Sequence, residues 1–280
     1  EIHERLVGSE MCIRDRIWDK GLLYKGFKIV PYCPRCGTPL SSHEVAQGYK
    51  AVKERSAVVR FKCVGEDAYF LAWTTTPWTL PSNVALCVNP EETYVKVKAA
   101  DGYTYYMAEA LLDKVLGGIE REEGTPAYEI IEEYKGKDLE YKEYEPLYQC
   151  AKDAADKQHK KAFFVYCDNY VTMEDGTGIV HIAPAFGEDD AKVGRKYDLP
   201  FVQFVDGKGE LTKETPYAGM FVKKADPEVL KDLDKEGKLF DAPKFEHDYP
   251  FCWRCDTPLI YYARESWFCL LYTSPSPRDA

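Results

Sequence analysis

The 280-residue sequence has no apolar run approaching the roughly 18 residues of a membrane-spanning helix, and no secretory-signal pattern at its start. No membrane role is expected, and the chain reads as intracellular and cytoplasmic. Positive charge is also scarce: 37 Lys and Arg against 47 Asp and Glu leave a formal net charge of -10. Nonspecific grip on nucleic acid comes from neutralising phosphates, so this balance argues against it while leaving room for a local contact. The basic clusters at Lys20–Lys25–Lys28, Lys50–Lys53–Arg55, Lys157–Lys160–Lys161 and Lys192–Arg195–Lys196 read first as solvated faces. There is no glycine-rich phosphate loop, no His-Glu-x-x-His and no assignable Ser-His-Asp set. What is present, 45% hydrophobic, 30% charged and 14% aromatic residues, is the composition of a globular protein rather than a disordered or fibrous one.

Cysteine is plentiful, with ten residues. Four of them form two Cys-x-x-Cys pairs, Cys33-Pro-Arg-Cys36 and Cys252-Trp-Arg-Cys255, in segments that resemble each other: Pro-Tyr-Cys-Pro-Arg-Cys-Gly-Thr-Pro-Leu and Pro-Phe-Cys-Trp-Arg-Cys-Asp-Thr-Pro-Leu. Zinc takes four soft ligands in a tetrahedron, and each pair supplies two thiolates from one tight turn. The expectation is a structural Zn2+ held by Cys33, Cys36, Cys252 and Cys255, with no open position for catalysis. An ordinary ribbon separates its pairs by roughly 15–20 residues; here more than 200 intervene. Two redox dithiols, two disulfides or two unrelated turns remain rival readings, the disulfides being disfavoured by an intracellular setting. The other cysteines, several in strand-like runs, read as small core residues.

Between the pairs the pattern is strand-rich. Val58–Cys63, Tyr69–Thr74, Val84–Val88, Thr93–Lys98, Tyr103–Met107, Phe163–Cys167, Ile179–Ala183 and Phe201–Val205 read as strands, with Asp101-Gly102 as a hairpin turn. Residues 17–28 read as a short helix ending near Gly26. Ala108–Leu116 and Glu188–Tyr197 read as helices, and Lys152–Lys161 as an exposed helix or loop. Asp226-Pro227 reads as the cap and first turn of a helix running to about Glu236 and stopped by Gly237. Residues 119–161 resist assignment. Residues 1–16 and 269–280 look foreign to the rest, like read-through of library or vector DNA. The domain reading is thus 17–56 and 246–268 as the halves of a zinc module, with 57–245 inserted between them. The fold class is mixed, strand-rich α/β.

Two segments carry candidate chemistry. Trp73-Thr74-Thr75-Thr76-Pro77-Trp78-Thr79-Leu80-Pro81-Ser82-Asn83 is a proline-stiffened, hydroxyl-rich turn after a strand, able to hold a water or a substrate hydroxyl, or simply a strand-to-loop turn. Gly176-Thr177-Gly178-Ile179-Val180-His181-Ile182-Ala183-Pro184-Ala185-Phe186-Gly187-Glu188-Asp189-Asp190 runs from a strand bearing His181 into an acidic helix start, which capping alone would also explain.

These two segments resemble the threonine-rich region and the second signature of the editing domain of isoleucyl-tRNA synthetases. The knuckles and Tyr261-Tyr262-Ala263-Arg264-Glu265-Ser266-Trp267-Phe268 resemble the same family, so the likeness covers about Ile17 to Phe268. Valyl and leucyl enzymes carry an Arg within the threonine run, where this chain has Thr74-Thr75-Thr76-Pro77-Trp78. The resemblance implies a β-barrel-like editing core with peripheral helices, set into a split zinc ribbon. It also implies hydrolysis of the ester of Val-tRNA(Ile). A pocket built for isoleucine cannot exclude valine, which is smaller by one methylene; that difference is worth only roughly 1–3 kcal/mol, a figure for which this family is itself the standard case, so a second site hydrolyses the mischarged product. It carries over Asp190 as the anchor for the substrate α-ammonium. Thr74, Thr75, Thr76 and Asn83 would place the attacking water and terminal ribose, Trp73 would join substrate binding, and His181 would shape the pocket and exclude isoleucine. The implied partners are the 3′ aminoacylated end of tRNA(Ile) and the remainder of the synthetase chain. The family's His-Ile-Gly-His and Lys-Met-Ser-Lys-Ser type motifs do not occur, so no ligation or productive ATP binding is expected of these residues alone. A noncatalytic zinc-stabilised docking module is the alternative; a dithiol oxidoreductase is weaker, because no βαβ pattern surrounds the Cys-x-x-Cys pairs.

Overall fold

A computed structural model describes residues 13–119 and 126–270. After a helix α1 over residues 13–19, strand β1 (Leu23–Cys33) pairs antiparallel along its length with the last strand, β14 (Ile260–Cys269), and at its end with the short β2 (Thr38–Pro39). Helix α2 (Ser42–Ala46) then leads into β3 (Tyr49–Arg55), which pairs antiparallel with β13 (Lys244–Pro250). β3 and β13 form a stem: the chain goes out along one and returns along the other, with Lys244 opposite Arg55 and Pro250 opposite Tyr49.

Nine strands among the described residues make the sheet above the stem: β4 (Ala57–Lys62), β5 (Tyr69–Thr74), β6 (Ala85–Val88), β7 (Thr93–Ala99), β8 (Thr104–Ala108), β9 (Tyr128–Lys135), β10 (Val165–Cys167), β11 (Ile179–Ile182) and β12 (Leu239–Asp241). The sheet is curled and half-barrel-like. Its path runs β10-β6-β11-β5-β8-β7-β9, with β4 on the other side of β5 and β12 on β4. β4 and β5 read as strands because their β-branched and aromatic residues sit on a buried surface, with Val59, Phe61, Phe70 and Leu71 at most 1% exposed. β9 carries Glu129, Glu132 and Glu133 on a mostly exposed strand beside β7, and such charges discourage pairing with another chain. Helices α3 (Leu112–Leu116), α4 (Gln149–Lys157), α5 (Glu188–Lys196) and α6 (Val222–Lys235) lie around the sheet.

Several elements differ from the sequence reading. Residues 17–28 are not one helix: α1 stops at residue 19 and β1 begins at Leu23, because ten ladder partners on β14 outweigh a weak local helix pattern. Residues Phe201–Val205 form no strand; Val205 alone bridges to Leu211, while Phe201 stacks on Phe27 and Gln203 donates to the Ala263 carbonyl. Asp226-Pro227 does not open a helix: α6 begins at Val222 and both residues lie inside it. The 119–161 region holds β9, a 3-10 turn over Gly136–Leu139 and α4. The expected foreign ends fall mostly outside the described residues, but residues 13–16 belong to α1 and Cys269 pairs with Leu23.

Asn83, at the end of the threonine-rich turn, is fixed by the fold. Its side chain donates to the Ala85 carbonyl and accepts from the Tyr144 hydroxyl at 2.7 Å, all within the core. Tyr144→Phe removes that donor and leaves the buried Asn83 oxygen without it, so a loss of about 1–3 kcal/mol is expected in urea unfolding. An unchanged midpoint would show that the bond contributes nothing.

Candidate active site

β5 and β11 meet in parallel, with Val180 opposite Trp73. Their C-terminal ends therefore point the same way, and the segments that follow them face each other. After β5 the chain turns through Thr75 and Thr76 into a 3-10 helix, Pro77–Ser82. After β11 it passes Pro184 and Gly187 into α5. Between them lies a cavity of 460 Å³.

The hydroxyls form a chain. Thr74 Oγ1 lies 3.3 Å from Thr76 Oγ1, which lies 3.2 Å from Thr79 Oγ1, which lies 3.0 Å from His181 Nε2. The Thr76 N–H donates to Thr74 Oγ1, and the Thr79 hydroxyl is close enough to donate to the Thr76 carbonyl. These short local bonds fix the turn. His181 is 6% exposed, and burial pushes its pKa down to about 4, so the imidazole is neutral at ordinary pH. Its Nδ1 is buried without a hydrogen-bond partner.

Asp190 faces the hydroxyls from the first turn of α5, where the helix dipole favours a negative charge. Its Oδ2 accepts the Ala183 N–H at 2.9 Å, and Tyr170 OH lies 3.4 Å from Oδ1. Asp190 lines the cavity. Burial raises its pKa to about 7 against the pull of those two donors. A Cβ at position 187 would fall 2.7 Å from the Asp190 carboxyl carbon, so a larger residue there would displace that carboxyl. Trp78 and Phe186 meet edge to face at 5.0 Å, joining the two segments at the cavity wall.

The cavity brings together Trp73, Thr74, Thr75, Thr76, His181 and Asp190. Asn83 is not among its lining residues. The sequence reading did not assign Thr79, although it sits in the threonine-rich run. It also missed the wall supplied by the stem and β14: Tyr49, His247, Asp248, Tyr249 and Tyr261. The antiparallel return of β13 along β3, followed by β14, brings that wall to the cavity, so no local spacing could have signalled it.

The second cluster lies at the base of the stem. All four thiol sulfurs of Cys33, Cys36, Cys252 and Cys255 lie within 4.8 Å of one another. Cys33–Cys255 and Cys36–Cys255 are 3.5 Å apart and Cys36–Cys252 is 4.0 Å. A tetrahedron with metal–sulfur bonds of about 2.3 Å has sulfurs about 3.8 Å apart, so the donor set and its spacing fit zinc. The knuckles are alike in detail. Gly37 N–H donates to the Cys33 carbonyl and Asp256 N–H to the Cys252 carbonyl, and both Gly37 and Asp256 have positive φ, 68° and 59°. Leu40, Leu259 and Val45 pack beside the thiols.

The desolvated Asp190 has a consequence for stability. Below its unfolded value of 3.8 the carboxyl is neutral in both states; as pH rises to about 7 the unfolded chain ionises first and the fold loses stability. Asp190→Asn, which does not ionise, should gain in melting temperature relative to the parent across that window and hold its advantage above it. A difference that stays flat with pH would show a well-solvated carboxyl.

Comparison with known proteins fits this geometry. The family described as tRNA synthetases class I (I, L, M and V) matches residues 2–273. The isoleucine–tRNA ligase of Clostridium acetobutylicum is 53% identical over 268 residues, covering 95% of this chain and 24% of that protein. The isoleucine–tRNA ligase of Clostridium novyi is 52% identical with the same coverage. The chain thus spans about a quarter of the length of these relatives. The editing domain of the P. knowlesi cytosolic leucyl-tRNA synthetase shares the fold, with a TM-score of 0.51 at 15% identity over 70% of this chain and 98% of that domain. The family match runs through both cysteine pairs and both cavity segments, and the chain belongs to the class I tRNA synthetases, with isoleucine–tRNA ligases as its sequence relatives.

Proposed function

We propose that this chain is the editing part of an isoleucine–tRNA ligase and that its cavity hydrolyses the ester of Val-tRNA(Ile). The observation that carries the reading is a desolvated carboxylate, Asp190, set across one cavity from a hydrogen-bonded row of hydroxyls ending on a neutral imidazole. Asp190 takes the substrate's α-ammonium, an attraction strengthened by the low local dielectric. Thr74, Thr75 and Thr76 place the terminal ribose and the attacking water, with Thr79 holding Thr76. His181, on the same cavity wall, limits the length of the side chain that fits, so valine enters and isoleucine does not. Water adds to the ester carbonyl, the ribose oxygen leaves with a proton, and valine is released. No covalent nucleophile takes part; the rate comes from positioning and electrostatics. The partners are the 3′ aminoacylated end of tRNA(Ile) and the rest of the synthetase.

Incubating the chain with Val-tRNA(Ile) and Ile-tRNA(Ile) tests this reading. Selective loss of the valyl ester, abolished by Asp190→Ala, is the expected result, and equal or no loss of the two esters would overturn it. The pH profile adds a second readout. Only the ionised Asp190 binds an ammonium, so kcat/KM should rise as pH climbs through about 7. It should fall again as the substrate amine loses its proton near roughly 8.

The four-thiol cluster we assign to structural Zn2+, with all four coordination positions filled by sulfur. Bound there, the ion would tie the two knuckles together and carry no chemistry. One equivalent of zinc is expected in the purified chain, and Cys33→Ser should lower it; zinc content unaffected by that substitution would refute the assignment.

A further inference from the structure

Asp226 and Lys223 lie three residues apart on α6, outside the cavity lining, yet each reaches one of its walls. Asp226 Oδ1 accepts the Trp78 N–H at 2.9 Å, at the start of the 3-10 helix that follows the threonines. That N–H belongs to the first turn and has no partner inside its own helix, so a carboxylate from another element supplies it. Trp78 in turn abuts Phe186, just before Gly187 and Asp190. Lys223 Nζ donates to Glu54 Oε2 on β3 at 2.6 Å and lies 4.1 Å from the centre of the Tyr249 ring on β13. Glu54 also stands 3.8 Å from His247 Nε2. Tyr249 and His247 both line the cavity from the stem side.

We propose that Asp226 and Lys223 are positioning residues for ester hydrolysis: one face of α6 sets the distance between the hydroxyl-bearing turn and the stem wall. The proposal rests on the editing reading above. Neighbouring residues on an i, i+3 ridge move as a unit, so the two walls share one rigid reference. The Asp-Pro step that resembles a helix start is used here for a contact across the fold. Pro227 lacks an N–H, so it cannot close the helical bond to the Lys223 carbonyl. Burial raises the Asp226 pKa to about 7, against the pull of Lys223 and the Trp78 N–H. Either protonation state keeps an acceptor oxygen for Trp78, so the contact depends on an oxygen at that place more than on its charge. The far side of the pair opens on a cleft of 530 Å³, so truncation leaves no sealed void.

The test compares Asp226→Ala, Asp226→Asn and Lys223→Met in this chain by amide hydrogen exchange and by hydrolysis of Val-tRNA(Ile). Asp226→Ala should speed exchange across residues 77–82 and lower kcat by about tenfold with KM within about twofold, the signature of misplaced groups. Asp226→Asn, whose amide oxygen accepts the same N–H, should restore both. Lys223→Met should raise exchange in residues 49–55 and 244–250 while leaving 77–82 protected. The proposal is overturned if Asp226→Ala leaves exchange at 77–82 unchanged, if it loosens the whole sheet, if Asp226→Asn is as impaired as Ala, or if Lys223→Met leaves the stem unchanged. A parent chain that cleaves neither ester sinks the editing reading, while the exchange comparison still decides whether α6 holds the walls.

Discussion

Strands β5 and β11 run side by side in the same direction, and their contact at Trp73 and Val180 fixes where both cavity segments begin. Parallel neighbours end on the same edge of a sheet, so the threonine turn and the Asp190 loop cannot avoid each other. An antiparallel pairing would have sent them to opposite edges. The strands are far apart in sequence, and the chain between them forms β6 to β10, five of the other strands in the sheet that holds the pair in place. The candidate site residues sit at the ends of these strands and in the segments that follow them, and the sheet holds them in place.

The cavity has an energetic tension built into it. A carboxylate on the cavity side of a folded core costs stability unless something positive meets it. Here two donors, the Ala183 N–H and Tyr170 OH, offset part of that cost and leave the rest standing. A fully satisfied carboxylate would have little left to gain from an ammonium ion. His181 is incompletely satisfied in the same way: its Nε2 is tied to Thr79, its Nδ1 is left without a partner, and its burial keeps it uncharged, so it cannot repel an incoming cation.

The sequence made some of this legible and hid the rest for identifiable reasons. The knuckles were readable because a thiol pair on a tight turn is a local pattern, repeated twice with the same Thr-Pro-Leu tail. Trp73 to Thr76, His181 and Asp190 were readable by resemblance, and the cavity gathers them. Asn83 shows the limit of that route: a polar residue at the end of a polar run reads like a ligand, yet its amide is taken up by Tyr144 and Ala85. The stretch from residue 17 to 28 failed because β1 owes its form to β14, more than 200 residues away. Asp226-Pro227 failed because a cap signal is also what a buried acceptor looks like when its partner is distant.

The stem alters what the four-thiol cluster is for. Tyr49 and Pro250 pair across the stem, and both line the cavity. Cys252 follows Pro250 by two residues, and Gly48, just before Tyr49, accepts a hydrogen bond from the Phe251 N–H. A Cβ at position 48 would fall 1.9 Å from the Phe251 carbonyl oxygen, so the two strands approach here as closely as backbone allows. A clamp on the thiols therefore acts two residues from a cavity wall. Zinc bound by the four thiols, as proposed, would thus fix the stem from below, while α6, on the inference above, braces it against the threonine turn from the side.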